Sequence, residues 1–385
     1  MRNITLLLFG MFALGADAYV MAGILPLIAG DFNISIGAAG QSVSTFTLCY
    51  AIAAPFFAAI LSRANTKHIL LAALSLFTLA NIMTAITHHF GVLLISRGIA
   101  GIGAGLYSPL ASSAAVHLAP EGQRGRALSL ILFGMSAGTV IGVPLGIYIS
   151  SLYNWRLTMW FIVIVGLLGI MALASQFPTI QSNSLPTLSD RLSLFKNKQI
   201  TLVMLVTAIL SFCSLGLYTY LDRIIAAFEY EQSIWFIWMW GLGGIAGSFL
   251  IGSIMDRYKR PRTIMLILII VLMLSMMLMG IVHTYAASLA SLLMLWGSAG
   301  WASIAAQQKT LVEISPSHAT ISIALLSSMN YLAGSVGTMT FGALLERDAD
   351  PANLPYLAGM VLVAGFLLQC FFMHKARTSR IRTST

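Results

Sequence analysis

The sequence predicts an all-α protein that crosses a membrane twelve times, and three observations carry that expectation. The chain is 58% hydrophobic and only 9% charged. It divides into twelve apolar stretches, each of about 19 to 26 residues, and one polar segment separates them six and six. A soluble domain averages about 25% charged residues, so this chain cannot cover a water-facing surface. Each stretch is long enough to cross a hydrocarbon core of about 30 Å at about 1.5 Å rise per residue. With no water to satisfy backbone groups, such uninterrupted runs form helices rather than barrel strands.

In chain order the stretches run 4–28, 40–62, 69–87, 91–116, 127–151 and 157–177, then 200–221, 234–255, 263–283, 286–308, 319–343 and 354–373. The first opens on Met1-Arg2-Asn3 and contains Ala16-Asp17-Ala18, which imitates a signal-peptide cleavage site. Its apolar character continues for another turn or more, so a retained helix is expected. Residues 178–199 are rich in Ser, Asn, Pro and charge. They read as a cytoplasmic linker between a six-helix bundle at 1–177 and a second at 200–385, the latter ending in a short basic tail. Within the linker, 188–195 fits a short surface helix and a plain connection equally.

The net charge of +9 could suggest nucleic acid, but its placement excludes that reading. With the N-terminus in the cytoplasm and loops alternating, 17 of the 21 Lys and Arg residues fall inside. Arg156, Arg223 and Arg347 fall outside, and Arg97 lies within a helix. This asymmetry places a multi-pass protein in the cell (inner, cytoplasmic) membrane with both termini cytoplasmic. Cys49, Cys213 and Cys370 are far apart on apolar stretches and suggest neither a metal site nor a disulfide framework.

Asp17 is the one acidic residue deep within an apolar stretch. A carboxylate at the centre of a membrane helix costs about 2.5 to 3.5 kcal/mol on insertion scales, so such a residue has a role. It binds a proton, an ion or a substrate, or it pairs with a buried base to fix helix packing. Depth supplies a partner. Asp17 is about 20 Å from the cytoplasmic end of its helix, leaving about 10 Å to the outer face, and Arg97 enters from outside to a depth of about 9 Å. Burial and an opposite charge act on a carboxyl in opposite senses, so reversible protonation near neutral pH is one expectation and a permanent ion pair the other. Asp222, by the same count at the outer boundary, reads as a solvated rim residue beside Arg223, with a lesser claim to a part in coupling.

Several motifs carry a resemblance. The loop after the eighth stretch reads Gly252-Ser-Ile-Met-Asp256-Arg257-Tyr-Lys259-Arg260, echoed after the second by Ala58 to Ser62-Arg63. The fourth stretch contains Arg97-Gly-Ile-Ala-Gly101-Ile-Gly103-Ala104, and the fifth Gly134, Gly138, Gly142, Pro144 and Gly146 at fixed spacing, followed by Trp155-Arg156. Across the whole chain these resemble the major facilitator superfamily, and within it the twelve-helix drug:proton antiporters and their sugar- and nucleoside-exporting relatives. The resemblance implies two pseudo-symmetric six-helix bundles around a central cavity. It implies a gating motif at Gly252, Asp256, Arg257, Arg63 and Arg126, and an antiporter motif at the five residues of the fifth stretch. It also implies a cavity lined from helices 1, 4, 7 and 10, with Met21, Tyr107, Tyr218, Tyr220, Trp296 and Trp301 as candidate lining or as core. There are departures: Ser62 and Ala58 replace the usual Asp and Gly, Ala18 replaces a frequent Glu, and Asp222-Arg223 replace a frequent Ala-Pro.

Glycines four apart let a second backbone approach, and Pro144 bends or loosens its helix. The face of the fifth helix is therefore expected to meet Gly243, Gly244, Gly247 and Ser248 of the eighth across the two halves. By the internal repeat, Ala54, Ala58 and Ser62 are expected to meet Gly334, Thr338 and Gly342. The seven histidines sit near helix ends and loops, and the sequence holds no His-Glu-x-x-His, phosphate-binding loop or Gly-x-Ser-x-Gly. No enzyme, cofactor or metal is expected. The expectation is a monomeric proton-coupled antiporter of small amphipathic molecules, with a facilitator or proton symporter of a sugar- or nucleoside-type metabolite as the alternative. A transporter-like receptor stands behind both.

The charge split yields a direct test of topology. Single cysteines placed in the loop at 29–39 should react with an impermeant thiol reagent on intact cells, and those at 256–262 should not. Labelling of the second loop from outside would invert the orientation.

Overall fold

In the computed structural model, residues 2–61, 65–120, 123–179, 188–230 and 233–383 are described. Twelve long helices follow one another along them. The first six are α1 (Leu7–Phe32), α2 (Ile36–Leu61), α3 (Thr66–Ile86), α4 (Phe90–Leu118), α5 and α6 (Trp155–Gln176). In α5, Arg124–Ala137 passes through a π-helical turn at Gly138–Gly142 into Val143–Leu152. The second six are α7 (Lys198–Tyr218), α8 (Ile234–Tyr258), α9 (Pro261–Val282), α10 (Ala286–Ile314), α11 (Ala319–Glu346) and α12 (Leu354–Thr383). Ten of the twelve contain a window long and apolar enough to cross a membrane. The other two, α2 and α11, have 26 and 28 residues, the length of a span, and are only partly described at the side-chain level.

Local chemistry sets the boundaries. Asn154 starts α6 by accepting the Leu157 N–H on its side-chain oxygen at 3.1 Å, and Asn197 starts α7 by accepting from Gln199 at 2.9 Å. Each satisfies an N–H that the first turn leaves without an intrahelical partner. Asn33 ends α1 in the left-handed region at φ 53°, returning its own N–H to the carbonyls of Ala29 and Gly30. The π turn in α5 has a covalent cause. Pro144 has no N–H to give, and its ring crowds the carbonyl four residues back at Val140, within that turn.

The chain forms two compact units, one of residues 1–188 with 342–346 and one of residues 189–341 with 347–385. In the first, α4 packs against α2 and α3, and α1 against α5 and α6. In the second, α10 packs against α8 and α9, and α12 against α7 and α9. Within the linker, Leu188–Ser193 is a short helix followed by a 3-10 turn at Leu194–Lys196. Leu194 is buried with Ile200, Met204, Leu311 and Phe372, which anchors this end of the linker to the second unit.

The glycine faces correct an expectation. Gly134 and Gly138 of α5 lie on α1, where a Cβ at Gly138 would overlap the Phe12 carbonyl oxygen and one at Gly142 would press on Ala16. Gly146 meets Val20 of the same helix. Gly15 of α1 reciprocates, pressed against the Met135 carbonyl. Gly243 and Gly247 of α8 likewise face α10 at Met294 and Ser298, and Gly244 faces the Trp301 ring. On α11, Gly334 meets Leu215 and Gly337 meets the Phe212 carbonyl, both on α7. The faces of α5 and α8 are filled by helices of their own units, because small residues drive whichever backbone lies nearest in the bundle to close approach. The Gly342 carbonyl of α11 lies against Gly37 of α2, and the side chains of Ala54, Ala58 and Ser62 lie outside the described residues. Sequence spacing reveals the face but not its partner.

Gly138→Val therefore should lower the apparent melting temperature of the purified protein sharply, because the atom it meets is backbone and cannot rotate away. Gly252→Ala is the control, since nothing lies within 4 Å of its added methyl. Equal melting temperatures for the two variants would contradict the tight α1–α5 contact.

Candidate functional site

The site begins with α4, whose glycines determine what can reach Arg97. A Cβ on Gly101 would overlap the Phe46 carbonyl of α2, and one on Gly103 would meet Ala73 and Phe77 of α3. With hydrogen alone at both positions, α2 and α3 close on α4 from two sides. Gly15 and Ala16 let α5 press on α1, which positions the turn that carries Asp17.

Arg97 and Asp17 meet as depth predicts. Arg97 Nη1 donates to Asp17 Oδ1 at 2.8 Å and to Oδ2 at 3.0 Å. The side chains are 1% and 0% exposed, so neither charge has water to fall back on. In that environment removing one partner costs about 3 to 5 kcal/mol, because the other is left buried and uncompensated. Two further groups complete the cradle. Asn81 of α3 offers Oδ1 to the same Nη1 at 3.4 Å, and the Phe46 ring lies 4.6 Å from the guanidinium carbon. Arg97 Nε is buried with no hydrogen-bond partner among the described residues. The sequence reading missed Asn81 and Phe46. Asn81 was findable in principle as an amide in the middle of an apolar span, which is costly unless it has work to do.

The candidate cavity residues are mostly packed. Met21 and Tyr107 are fully buried, and the Tyr107 hydroxyl donates to the Leu7 carbonyl at 3.2 Å. In the second unit, Tyr218 lies 4.2 Å from the Trp240 ring, and Trp240 is 6.3 Å from Trp296 and 5.7 Å from Trp301. Trp296 is buried and donates to Ser214 at 2.7 Å, and the Tyr220 hydroxyl donates to the Thr338 carbonyl at 3.0 Å. Trp301 is the half-buried member of the group. Alongside runs an uncharged polar row that the sequence reading did not single out. Thr207 donates to Gln307 at 2.7 Å, Ser211 to Asn330, and Thr219 shares a hydrogen with Thr338 at 3.0 Å.

At the predicted gate, exposed Asp256 accepts from Lys309 of α10 at 3.2 Å, and Gly252 and Arg257 are also exposed. Arg63 and Ser62, with the side chain of Arg126, lie outside the described residues. Trp155-Arg156 acquires a partner that sequence did not supply. Asp31 accepts from Arg156 at 2.6 Å and from the Trp155 indole at 3.2 Å, while Arg156 also donates to the Thr87 carbonyl at 2.8 Å.

Asp222 departs from its expected surroundings. The helix ends at Tyr218, and Asp222 belongs to a separate short helix, Leu221–Ala227, so the count along a continuous span does not place it. It is half-buried and accepts a hydrogen bond from Ser233, rather than sitting solvated on a rim. Burial pushes its carboxyl above the usual carboxylate range, against the opposing effects of the Ser233 hydrogen bond and the Arg223 charge.

Twelve long helices, ten of them of membrane-crossing length and apolarity, with a carboxylate–guanidinium pair buried within the first unit, define a multi-pass membrane protein. The family model for the Major Facilitator Superfamily matches residues 7–338, and the chain belongs to that family. Its members are transporters of small molecules rather than enzymes. Among similar proteins, an uncharacterized MFS-type transporter YbcL of Bacillus subtilis (strain 168) is 27% identical over 343 residues, 87% of each chain. The inner membrane transport protein YdhP of Escherichia coli (strain K12) is 23% identical, covering 95% of this chain and 94% of its own. A chloramphenicol resistance protein of Streptomyces lividans is 27% identical over 68% of each chain. The crystal structure of the human organic anion transporter MFSD10 (TETRAN) shares the fold, with a TM-score of 0.72 and 16% identity over 96% of this chain and 99% of that one.

Because folding raises the proton affinity of Asp222, its charge costs stability above the unfolded pKa, and the cost grows as pH rises through the folded value. Asp222→Asn, which can still accept from Ser233, should therefore melt higher than wild type at pH 8. The gain should fade on acidification and vanish below the ordinary aspartate pKa of the unfolded chain, about 3.9. A variant that melts lower at pH 8 would mean that the charged hydrogen bond outweighs burial.

Proposed function

We propose that this chain is a proton-coupled antiporter that exports small amphipathic molecules by alternating access. In this reading it acts as a monomer in the inner (cytoplasmic) membrane, with both termini in the cytoplasm and six-helix halves at 1–177 and 200–385 joined by 178–199. The observation that carries the reading is the fully buried Asp17–Arg97 pair on helices long and apolar enough to span the bilayer. A carboxyl there alternates between a proton and a substrate or the arginine, but cannot serve two partners at once. That exclusivity couples inward proton movement to outward substrate movement. The glycine pattern of α5 and the similarity to a resistance protein add support for export.

Around that centre, Asp256 and Arg257 with Gly252, Arg63 and Arg126 act as the gating motif, lopsided because Ser62 lacks the charge of Asp256. Among the aromatic candidates, half-buried Trp301 has the best access to substrate, while Met21, Tyr107, Tyr218, Tyr220 and Trp296 shape the walls behind it. The second reading, a facilitator or proton symporter of a sugar- or nucleoside-type metabolite, draws on the uncharged row of Thr207, Ser211, Gln307 and Asn330. Hydroxyl and amide groups of that kind suit a neutral hydroxylated solute.

Proteoliposomes separate the readings. Wild type should accumulate substrate against its gradient when an opposing pH gradient is imposed, with a panel of drugs, sugars and nucleosides supplying the probe. Asp17→Asn mimics the protonated acid permanently, so it should lose uphill transport entirely while downhill exchange of labelled solute continues. Undiminished proton-driven transport by the variant would place the proton carrier elsewhere, with Asp222 the next candidate.

A further inference from the structure

If Asp17 takes up a proton, Arg97 is left with its charge in a site buried in this structure. The proton arrives from solvent and remains on the carboxyl, and the guanidinium keeps its own protons throughout. Something other than the carboxylate must then hold the arginine, or the protonated form will be inaccessible. We propose that Asn81 is a positioning residue that receives the Arg97 guanidinium whenever Asp17 is neutral, and so makes the protonation of Asp17 reversible. This inference rests on the reading of Asp17 as the proton carrier.

The geometry suits a stand-by acceptor. Asn81 is 0% exposed, and its amide nitrogen donates to the Phe77 carbonyl at 3.1 Å, which directs the amide oxygen to Arg97. That oxygen lies 3.4 Å from Nη1, the same nitrogen that binds Asp17 at 2.8 Å and 3.0 Å. The guanidinium is held by the carboxylate, with the amide at the margin of bonding distance. A displacement of roughly half an ångström would bring the Asn81 contact to the usual length of about 2.9 Å. The Phe46 ring at 4.6 Å gives the cation a second uncharged partner that does not depend on Asp17. Burying an amide in an apolar helix is unfavourable unless it is hydrogen-bonded, and both ends of Asn81 are engaged.

Among the described residues, no other charge takes this part. Besides Arg97, the helices packed on α1 carry Cys49 and Tyr50 on α2, Tyr107 and His117 on α4, Arg124, Arg126 and the exposed Tyr148 on α5, and Arg156 on α6, which is committed to Asp31. Among the described residues, Arg97 is the charged group in contact with the Asp17 carboxyl.

A substrate-free titration tests the role. Infrared difference spectra of the full-length protein in lipid, recorded across pH, follow the protonated-carboxyl stretch of Asp17, assigned by its loss in Asp17→Asn. Asn81→Leu removes the stand-by acceptor, so the midpoint of this band should move toward acid by about one pH unit, a tenfold change in proton concentration. Asn81→Asp gives the arginine a permanent charged partner and should move the midpoint toward alkaline pH. Opposite shifts in two folded variants would not follow from a purely structural role. Unchanged midpoints, or shifts in the same direction, would overturn the proposal. If Asn81→Leu fails to fold, the alkaline shift in Asn81→Asp decides alone. A wild-type spectrum without any titrating Asp17 band would instead defeat the prior reading of Asp17 as carrier, and is distinguishable from failure at Asn81.

Discussion

The structure of the first unit is organised around one requirement, that a carboxylate and a guanidinium be held in contact away from water. The desolvation of two ions is offset only when geometry is good and remaining donors are satisfied. Asp17 and Arg97 achieve the contact at 2.8 Å with both side chains buried, though Arg97 Nε finds no hydrogen-bond partner among the described residues. Because the partners come from α1 and α4, the pair also makes the packing of those helices dependent on charge state. A neutral or displaced Asp17 changes the forces on α4, and the proposed function draws on that dependence to couple proton binding to a conformational equilibrium.

Close backbone approach is what makes the contact reachable. Gly15 of α1, Gly101 and Gly103 of α4 and Gly138 of α5 carry no side chain that would keep neighbouring helices apart, and each meets the backbone of the adjoining helix. Motifs that look like spacing rules are in this sense clearance rules. Gly101 and Gly103 admit α2 and α3, and those two helices deliver Phe46 and Asn81 to the guanidinium. The second unit uses the same device at Gly243, Gly247 and Gly337, but surrounds it with aromatic rings and uncharged polar groups. The chemistry of the two units is accordingly different: buried charge in the first, and neutral hydrogen bonding with ring surface in the second.

Length, apolarity and depth were legible along the chain because they are properties of one segment at a time. The twelve stretches and the matching levels of Asp17 and Arg97 follow from a constant rise per residue and a bilayer of fixed thickness. Asp31 beside Arg156, Lys309 beside Asp256 and Asn81 beside Arg97 were not legible, since each joins residues far apart in sequence with no periodic signal. The break after Tyr218 was hidden because the apolar run continues through Leu221, and hydropathy does not register a turn made within apolar sequence.

By itself the sequence determined the class of solvent this protein lives in, the number of long helices and the presence of an ion pair at one depth, because all three are set by local composition and distance along a helix. Tertiary structure alone decided which helix fills each glycine face. The face of α5 closes on α1 and that of α8 on α10, against the expectation that they meet each other. A bare backbone offers the same clearance to any neighbour, and the neighbour is chosen by how all the helices of a unit pack at once.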